Sequence, residues 1–191
     1  SYIHRCQKDG VKIVMNCEVT PELIKEEKPD SVIIATGSKT LILPIEGIDN
    51  PAIIHGSDLL DGKRPAGKKV LVVGGGMVGC ETAAFLGEQE HDVTVIEFRD
   101  TVGADVIHEH RVYLMKDFED YGIKEITGAK VCKFYEDGVE YETADGVRHE
   151  TRGYDSVILS MGFRNYNPLE EMLMAQIQLD GNEQGSELDQ Y

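Results

Sequence analysis

Gly74, Gly76 and Gly79 stand at the fixed positions of a GxGxxG turn inside "KVLVVGGGMVGCETAAFLGEQEHDVTVIEF", residues 69–98. Between a strand and a helix, a turn of that spacing does one kind of work: it lets a diphosphate lie against main-chain N–H groups. Gly74 permits the tight turn, Gly76 leaves the backbone open to the pyrophosphate, and Gly79 lets the helix lie close to the strand. Gly75 completes the turn. The N–H groups of Met77, Val78 and Gly79 face the anion, and the helix dipole adds to them. The spacing therefore predicts that Gly76→Val or Gly79→Leu abolishes nucleotide binding with the fold retained.

Glu97 closes the second apolar run, at roughly the 20-residue separation where an acidic side chain bonds the ribose hydroxyls of a dinucleotide. A carboxylate there repels a 2′-phosphate, so NAD(H) is expected rather than NADP(H). Arg99 follows, and an Arg in this neighbourhood is the residue that accepts such a phosphate, so the choice is not closed.

The remaining reactive residues point to no second chemistry. His108 and His110 flank Glu109 at a spacing that puts them on different helix faces, so no chelating pair and no metal site is expected. His4, His55, His91 and His149 read as isolated surface residues. Cys6, Cys17, Cys80 and Cys132 form no C-x-x-C pair, which excludes a redox dithiol or zinc knuckle and fits a reducing, cytoplasmic setting. There is no nucleophile elbow and no Ser-His-Asp arrangement, so no catalytic side chain is expected. Glu81, one turn into the helix, reads either as a solvated residue or as a neighbour of the nicotinamide end.

Composition sets the outer limits. The 191 residues carry a net charge of −16, with 41% hydrophobic and 28% charged side chains. Such acidity excludes a nucleic-acid binder, and any anionic cofactor must be held by local backbone dipoles against the overall field. No apolar run approaches the roughly 20 residues of a membrane span. The opening "SYIHRCQKDG" is polar, lacks an initiator Met and reads as the start of an excised fragment.

The elements that position the glycines follow from pattern. Lys12–Met15 reads as a short strand, Pro21–Glu27 as a helix with Pro at its start, and "SVIIATG" (31–37) as a strand buried on both faces of a parallel sheet. Leu41–Asn50 is a connector, Ser57–Leu60 a helical turn and Gly62–Lys68 a loop. Strand Val70–Val73, helix Met77–Gln89 and strand Asp92–Glu97 surround the glycine turn. A helix over Asp105–Tyr121, with Ile107, Leu114, Phe118 and Tyr121 at helical spacing, stops at Gly122 before strand Ile123–Ile126. Lys130–Tyr135, Val139–Thr143 and Val147–Thr151 alternate around "EDG" and "ADG" and form an antiparallel three-stranded meander. "SVILSMG" is a second buried strand, echoing "SVIIATG". A helix over Pro168–Ala175 follows, and the polar tail from Gln178 reads as disordered. The fold class is α/β: a Rossmann-like parallel sheet with an antiparallel β-meander.

"KVLVVGGGMVGCETAAFL", with "ATGS" upstream and "VILSMGFRNYNPLEE" downstream, resembles the NAD(P)H-binding region of flavoproteins that contain two dinucleotide-binding domains. Over roughly residues 11–172 it looks most like the C-terminal half of the multidomain old yellow enzyme relatives: 2-enoate reductases, 2,4-dienoyl-CoA reductases and trimethylamine dehydrogenases. The "RVYLMKDFEDYGI" helix and "EDGVEYETADG" hairpin fit the first of these best. The resemblance implies an NAD(H) domain over 48–163 nested in an FAD-binding domain, with 1–47 and 164–191 as remnants of the latter. It implies an NADH-dependent flavoprotein oxidoreductase that passes hydride from NADH to FAD, with electrons moving on to a site that reduces an activated alkene. Ala35, Thr36, Gly37 and Gly162, with Met161 beside it, would sit at crossovers near cofactor. Phe98 follows the ribose-selecting Glu97, and the backbone around Val131 would face the NAD adenine.

The departures carry weight too. The glycine turn and late "GD" motif of the FAD domain are absent, as are the barrel with its FMN and the iron–sulfur cysteines. This chain is therefore not expected to hold FAD stably or reduce a substrate by itself. Its expected partners are the dinucleotide and the FAD and barrel domains of the same polypeptide, not nucleic acid or membrane. Two other readings stand beside this one: a non-catalytic ADP-binding or docking module, and the NADH domain of a flavoprotein reductase without a barrel.

Overall fold

The computed structural model describes residues 2–176 and 178, so the tail read as disordered falls, Gln178 excepted, outside the described residues. The chain divides into two compact units, one formed by Ser1–Ser38 with Asn165–Tyr191 and the other by Lys39–Arg164.

In the first unit, α1 (Tyr2–Lys8) and α2 (Pro21–Glu27) are short helices, and another helix runs over 168–176. α2 starts where the sequence puts it. The Thr20 hydroxyl accepts from the Leu23 N–H at 3.3 Å, and Pro21 fills the first helical position, where a missing N–H costs nothing. The two strands expected in this unit do not form. Residues 12–15 are exposed coil, and 31–37 are coil with Val32 at 45% and Ile33 at 92% exposure. An apolar run becomes a buried strand only when neighbours on both edges take its N–H and C=O groups, and among the described residues 31–37 has no ladder partner.

The second unit holds the sheet. Along the chain come β1 (Ser38–Thr40), β2 (Ile54–His55), α3 (Gly56–Leu60), β3 (Lys69–Val73), α4 (Met77–Glu88), β4 (Asp92–Ile96), α5 (His108–Asp120), β5 (Lys124–Ile126), β6 (Lys130–Tyr135), β7 (Gly138–Glu142), β8 (Arg148–Thr151), β9 (Ser156–Leu159) and β10 (Phe163–Asn165). Five of these form a parallel sheet in the order β2-β9-β3-β4-β5. β9 shares its Asp-Ser-Val-Ile pattern with 30–33, but here β2 and β3 flank it and all four of its residues are buried. β6, β7 and β8 form the expected antiparallel meander, with an irregularity in register between Val131 and Lys133. β1 and β10 pair in a two-stranded sheet.

Strand alternation sorts the core into two layers. Val70, Val72, Val93, Val95 and Ile158 face α4 and α5, packing on Cys80, Ala83, Leu86, Leu114 and Phe118. Leu71, Val73, Ile96, Val157 and Leu159 face the meander, packing on Phe134, Val139 and Tyr154. Small residues bring α4 close to its neighbours: a β-carbon added at Gly87 would lie 2.8 Å from the Tyr121 β-carbon beyond the end of α5. α5 begins at His108, later than the expected Asp105, because 102–105 form a turn that buries Val102 completely. At the margins of this unit the Leu41 N–H donates to the Gly162 carbonyl at 2.9 Å. Among the described residues, no helix is long and apolar enough to cross a membrane.

Candidate functional site

Registers Val73↔Ile96 and Val73↔Leu159 bring the C-terminal ends of β3, β4 and β9 level with one another. That edge is where open parallel sheets take ligands. A cleft of about 430 Å³ opens there, lined by Gly74, Gly76, Met77 and Val78 from the turn, Glu97, Phe98 and Arg99 after β4, Asp105, and Ser160–Phe163 after β9. A smaller hollow of about 140 Å³ shares Gly74, Glu97, Phe98 and Met161 and reaches Val131 and Ala129 on the meander side. Gly74, Gly76, Met77, Val78, Glu97, Phe98, Val131, Met161 and Gly162 thus surround one edge of one sheet.

The glycines are required by geometry, each differently. Gly74 sits at φ +105°, and a β-carbon on it would come 2.4 Å from the Ser160 carbonyl oxygen. A β-carbon on Gly79 would fall 1.8 Å from the carbonyl oxygen of Gly74. Side chains at either position collide with backbone, so the sequence expectation that Gly79→Leu leaves the fold intact is corrected: Gly79 holds helix and turn together. Gly75 is boxed in by Glu97 and Val102, each 2.9 Å from where its β-carbon would be. Gly76 differs. It is the residue before α4, at φ −73° and ψ −174°, and the three atoms nearest to a β-carbon on it all belong to the Asp105 carboxylate, the first at 3.1 Å. Its missing side chain opens the cleft rather than relieving a backbone clash.

Glu97 is fixed in place. Its Oε2 accepts from the Gly75 N–H at 2.6 Å and its Oε1 from the Arg99 N–H at 2.9 Å. The carboxylate therefore spans from the glycine turn to the end of β4. Cys80 lies beneath the turn, fully buried, and its thiol donates to the Gly75 carbonyl at 3.2 Å. Burial pushes that thiol up to about 12, and the carboxylates of Asp105, Glu125 and Glu97 add to the rise; the Gly103 backbone hydrogen bond opposes it. The thiol is held neutral, which fits a packing and anchoring residue rather than a nucleophile.

Two details go beyond the sequence reading: the reach of Asp105, and the state of the Ser160 hydroxyl in the 160–162 stretch expected near the nicotinamide. Asp105 Oδ1 accepts from the Met77 N–H at 3.1 Å, on one of the amides read as anion-facing. Ser160 Oγ is buried with no hydrogen-bond partner among the described residues, close to Gly56, whose added β-carbon would lie 2.7 Å away. Asp105 read from sequence as the first residue of a helix, a position where an acidic side chain is ordinary. Nothing in the spacing showed that it reaches back to a different helix.

The other candidates lie elsewhere. Ala35, Thr36 and Gly37 belong to the first unit, where the Thr36 hydroxyl donates to the Tyr166 carbonyl and the Gly37 carbonyl accepts from the Tyr166 N–H at 3.0 Å. Glu81 is exposed and stands 3.8 Å from His110 Nε2, outside the cleft lining. His55 and His91 are half-buried rather than surface residues, and His91 Nδ1 lies 2.6 Å from the Gly67 carbonyl. Among the described residues, no group of His, Cys, Asp and Glu is placed to hold a metal ion.

Residues 2–187 match the pyridine nucleotide-disulphide oxidoreductase family. A bilirubin reductase of Mediterraneibacter gnavus is 35% identical over 75% of this chain, and a cinnamate reductase of Clostridium sporogenes 33% identical over 78%. The chain spans 22% and 21% of the length of these two relatives. Among solved structures, a 2-naphthoyl-CoA reductase in complex with 2-naphthoyl-CoA superposes with a TM-score of 0.75 at 32% identity, over 90% of this chain and 26% of that one. With the parallel sheet, the glycine turn and the cleft at its strand ends, these matches place the chain in the pyridine nucleotide-disulphide oxidoreductase family, flavoproteins that work with NAD(P)H.

Proposed function

We propose that this chain is the NADH-binding part of an enoate-reductase-like flavoprotein, which presents the nicotinamide for hydride transfer to FAD. The observation that supports this reading most is the joining, in one cleft, of the glycine turn, the Glu97 carboxylate and the Met161–Gly162 edge at level strand ends. The residues fit a dinucleotide. A side chain at Gly76 would project into the cleft, and about 430 Å³ lies within the usual range of ligand sites.

In this reading Gly76, Met77 and Val78 hold the pyrophosphate through main-chain N–H groups and the N-terminus of α4. Glu97, locked by Gly75 and Arg99, accepts from the ribose hydroxyls and disfavours a 2′-phosphate. Val131 and Ala129 give the adenine end an apolar wall. Met161 and Gly162 lie toward the nicotinamide. When bound, the nicotinamide supplies the hydride; these residues supply position and exclude water from one side of the ring. Among the described residues, none is assigned a role as acid or base in this reading.

Residues 1–47 and 164–191 are then the parts of an FAD-binding domain into which the NADH domain over 48–163 is inserted. FAD's own pyrophosphate turn, and the FMN, iron–sulfur cluster and alkene site, belong to other parts of such a polypeptide, and the cytoplasm is its expected compartment. The relatives named as bilirubin and cinnamate reductases and the naphthoyl-CoA reductase fold support an unsaturated substrate. Calorimetric titration of the full 191-residue chain tests the reading. Saturable binding of NADH, tighter than NADPH, is the expected result. Absence of binding overturns it, and ADP binding as tight as NADH favours a non-catalytic nucleotide module.

A further inference from the structure

We propose that Asp105 is a built-in competitor for the pyrophosphate position, a displaceable carboxylate that sets how tightly this cleft holds a dinucleotide. The inference rests on the dinucleotide reading of the cleft. Asp105 Oδ1 already takes the Met77 N–H at 3.1 Å, and its two oxygens lie 3.1 and 3.4 Å from where a Gly76 side chain would begin. That space is the one a diphosphate must enter. The carboxylate therefore has the charge, the acceptor geometry and the placement of the group it would give way to.

Its position is built by the loop that carries it. Val102 is fully buried and Val106 is buried in the core cluster against the helices. The Gly103 N–H donates to the Gly75 carbonyl at 2.7 Å, and the Val106 N–H to the Gly103 carbonyl at 3.1 Å. Arg111 donates to the Thr101 hydroxyl at 2.9 Å and to the Val102 carbonyl at 3.1 Å. The loop is thus tied to the glycine turn on one side and to α5 on the other. Asp105 itself is exposed, so its side chain can turn into solvent without breaking these ties. The neighbouring Glu97 carboxylate occupies the Gly75 N–H, so two amides of the turn already carry the chain's own anions. In a chain of net charge −16, a negative ligand must displace one fixed negative charge and sit beside another.

Asp105→Asn separates charge from shape, because the amide oxygen still accepts from the Met77 N–H. Calorimetry of NADH, ADP and adenosine with the wild-type chain and this variant is the test. At low salt, NADH and ADP bind the variant about tenfold tighter, and the gain shrinks as salt screens the charge. Adenosine, which has no phosphate, changes by less than about twofold. Asp105→Ala, which loses the acceptor as well, shows the same tightening with a lower melting temperature. NADH binding to wild type with no change, or a loss, in Asp105→Asn overturns this inference and leaves the dinucleotide reading standing. No NADH binding to wild type or either variant overturns both.

Discussion

Substituting alanine at Gly76 and at Gly79 separates two jobs that the motif merges. At Gly76 the backbone, with φ −73° and ψ −174°, is open to any residue, and the new methyl comes nearest to the exposed Asp105 carboxylate, at 3.1 Å. Stability should move by less than about 0.5 kcal/mol, since the entropy gained by removing a glycine roughly offsets the slightly poorer helix start. That corresponds to about 1–2 °C in Tm for a chain of this size. The same methyl stands where the pyrophosphate must approach, so NADH affinity should fall at least tenfold, about 1.4 kcal/mol. At Gly79 the new methyl would lie 1.8 Å from the Gly74 carbonyl oxygen, and both partners are backbone. Helix and turn must separate by more than an ångström. An overpacking cost near the upper end of the usual range, about 3 kcal/mol, less about 1 kcal/mol of helix propensity gained, leaves a loss of about 2 kcal/mol. Tm should drop by about 4–8 °C. Scanning calorimetry and titration calorimetry on the two variants read both quantities. A Gly76→Ala chain that binds NADH like wild type, or a Gly79→Ala chain that melts like wild type, refutes the division of labour drawn here.

Four further outcomes follow from the site. Glu97→Gln keeps an acceptor for the Gly75 N–H but removes the charge, so the ratio of NADPH to NADH affinity should rise about fivefold or more in titration calorimetry; an unchanged ratio removes Glu97 as the ribose selector. Cys80 should resist a maleimide at pH 8 in the folded chain, while exposed Cys17 reacts, and should become reactive in urea; fast native labelling of Cys80 contradicts its burial. Because its thiol is raised from 9.0 to about 12, the native state keeps a proton that the unfolded state loses in between, so this group's contribution to stability is intact below pH 9 and declines as pH rises toward 12. Ser160→Ala should raise Tm by about 2–4 °C, since it removes a buried hydroxyl with no partner among the described residues, at about 1 kcal/mol; a fall in Tm would show that the hydroxyl is satisfied in solution.

The centre of the fold was legible because its signals are local. The strand, glycine turn and helix around residue 76, and the Asp-Gly hairpins, are each decided within about a dozen residues by periodicity and turn chemistry. The family resemblance agreed with that reading. The same logic misjudged 31–37. "SVIIATG" and "SVILSMG" carry nearly the same pattern, but a parallel strand is made by what lies beside it, and β9 has β2 and β3 where 31–37 has no ladder partner among the described residues. Gly79 was read correctly as letting the helix lie close, but the tightness of that approach, 1.8 Å from an added β-carbon to the Gly74 carbonyl oxygen, is a three-dimensional fact that the expectation of a folded Gly79→Leu chain missed. Asp105 was invisible for a third reason. Its place over the start of α4 depends on Val102 reaching the core and Gly103 bonding Gly75, contacts distant in sequence that no local pattern encodes.

The hydrogen bond from the Leu41 N–H to the Gly162 carbonyl places the beginning and the end of the second compact unit, Lys39–Arg164, side by side. A stretch of well over a hundred residues therefore occupies, for whatever polypeptide carries it, no more room along the backbone than a tight hairpin would. Chain-closure entropy grows only with the logarithm of loop length, and it nearly vanishes when the inserted piece folds with its ends already touching. Adjacent ends of this kind are the geometry in which a compact unit is tolerated as an insertion in another chain.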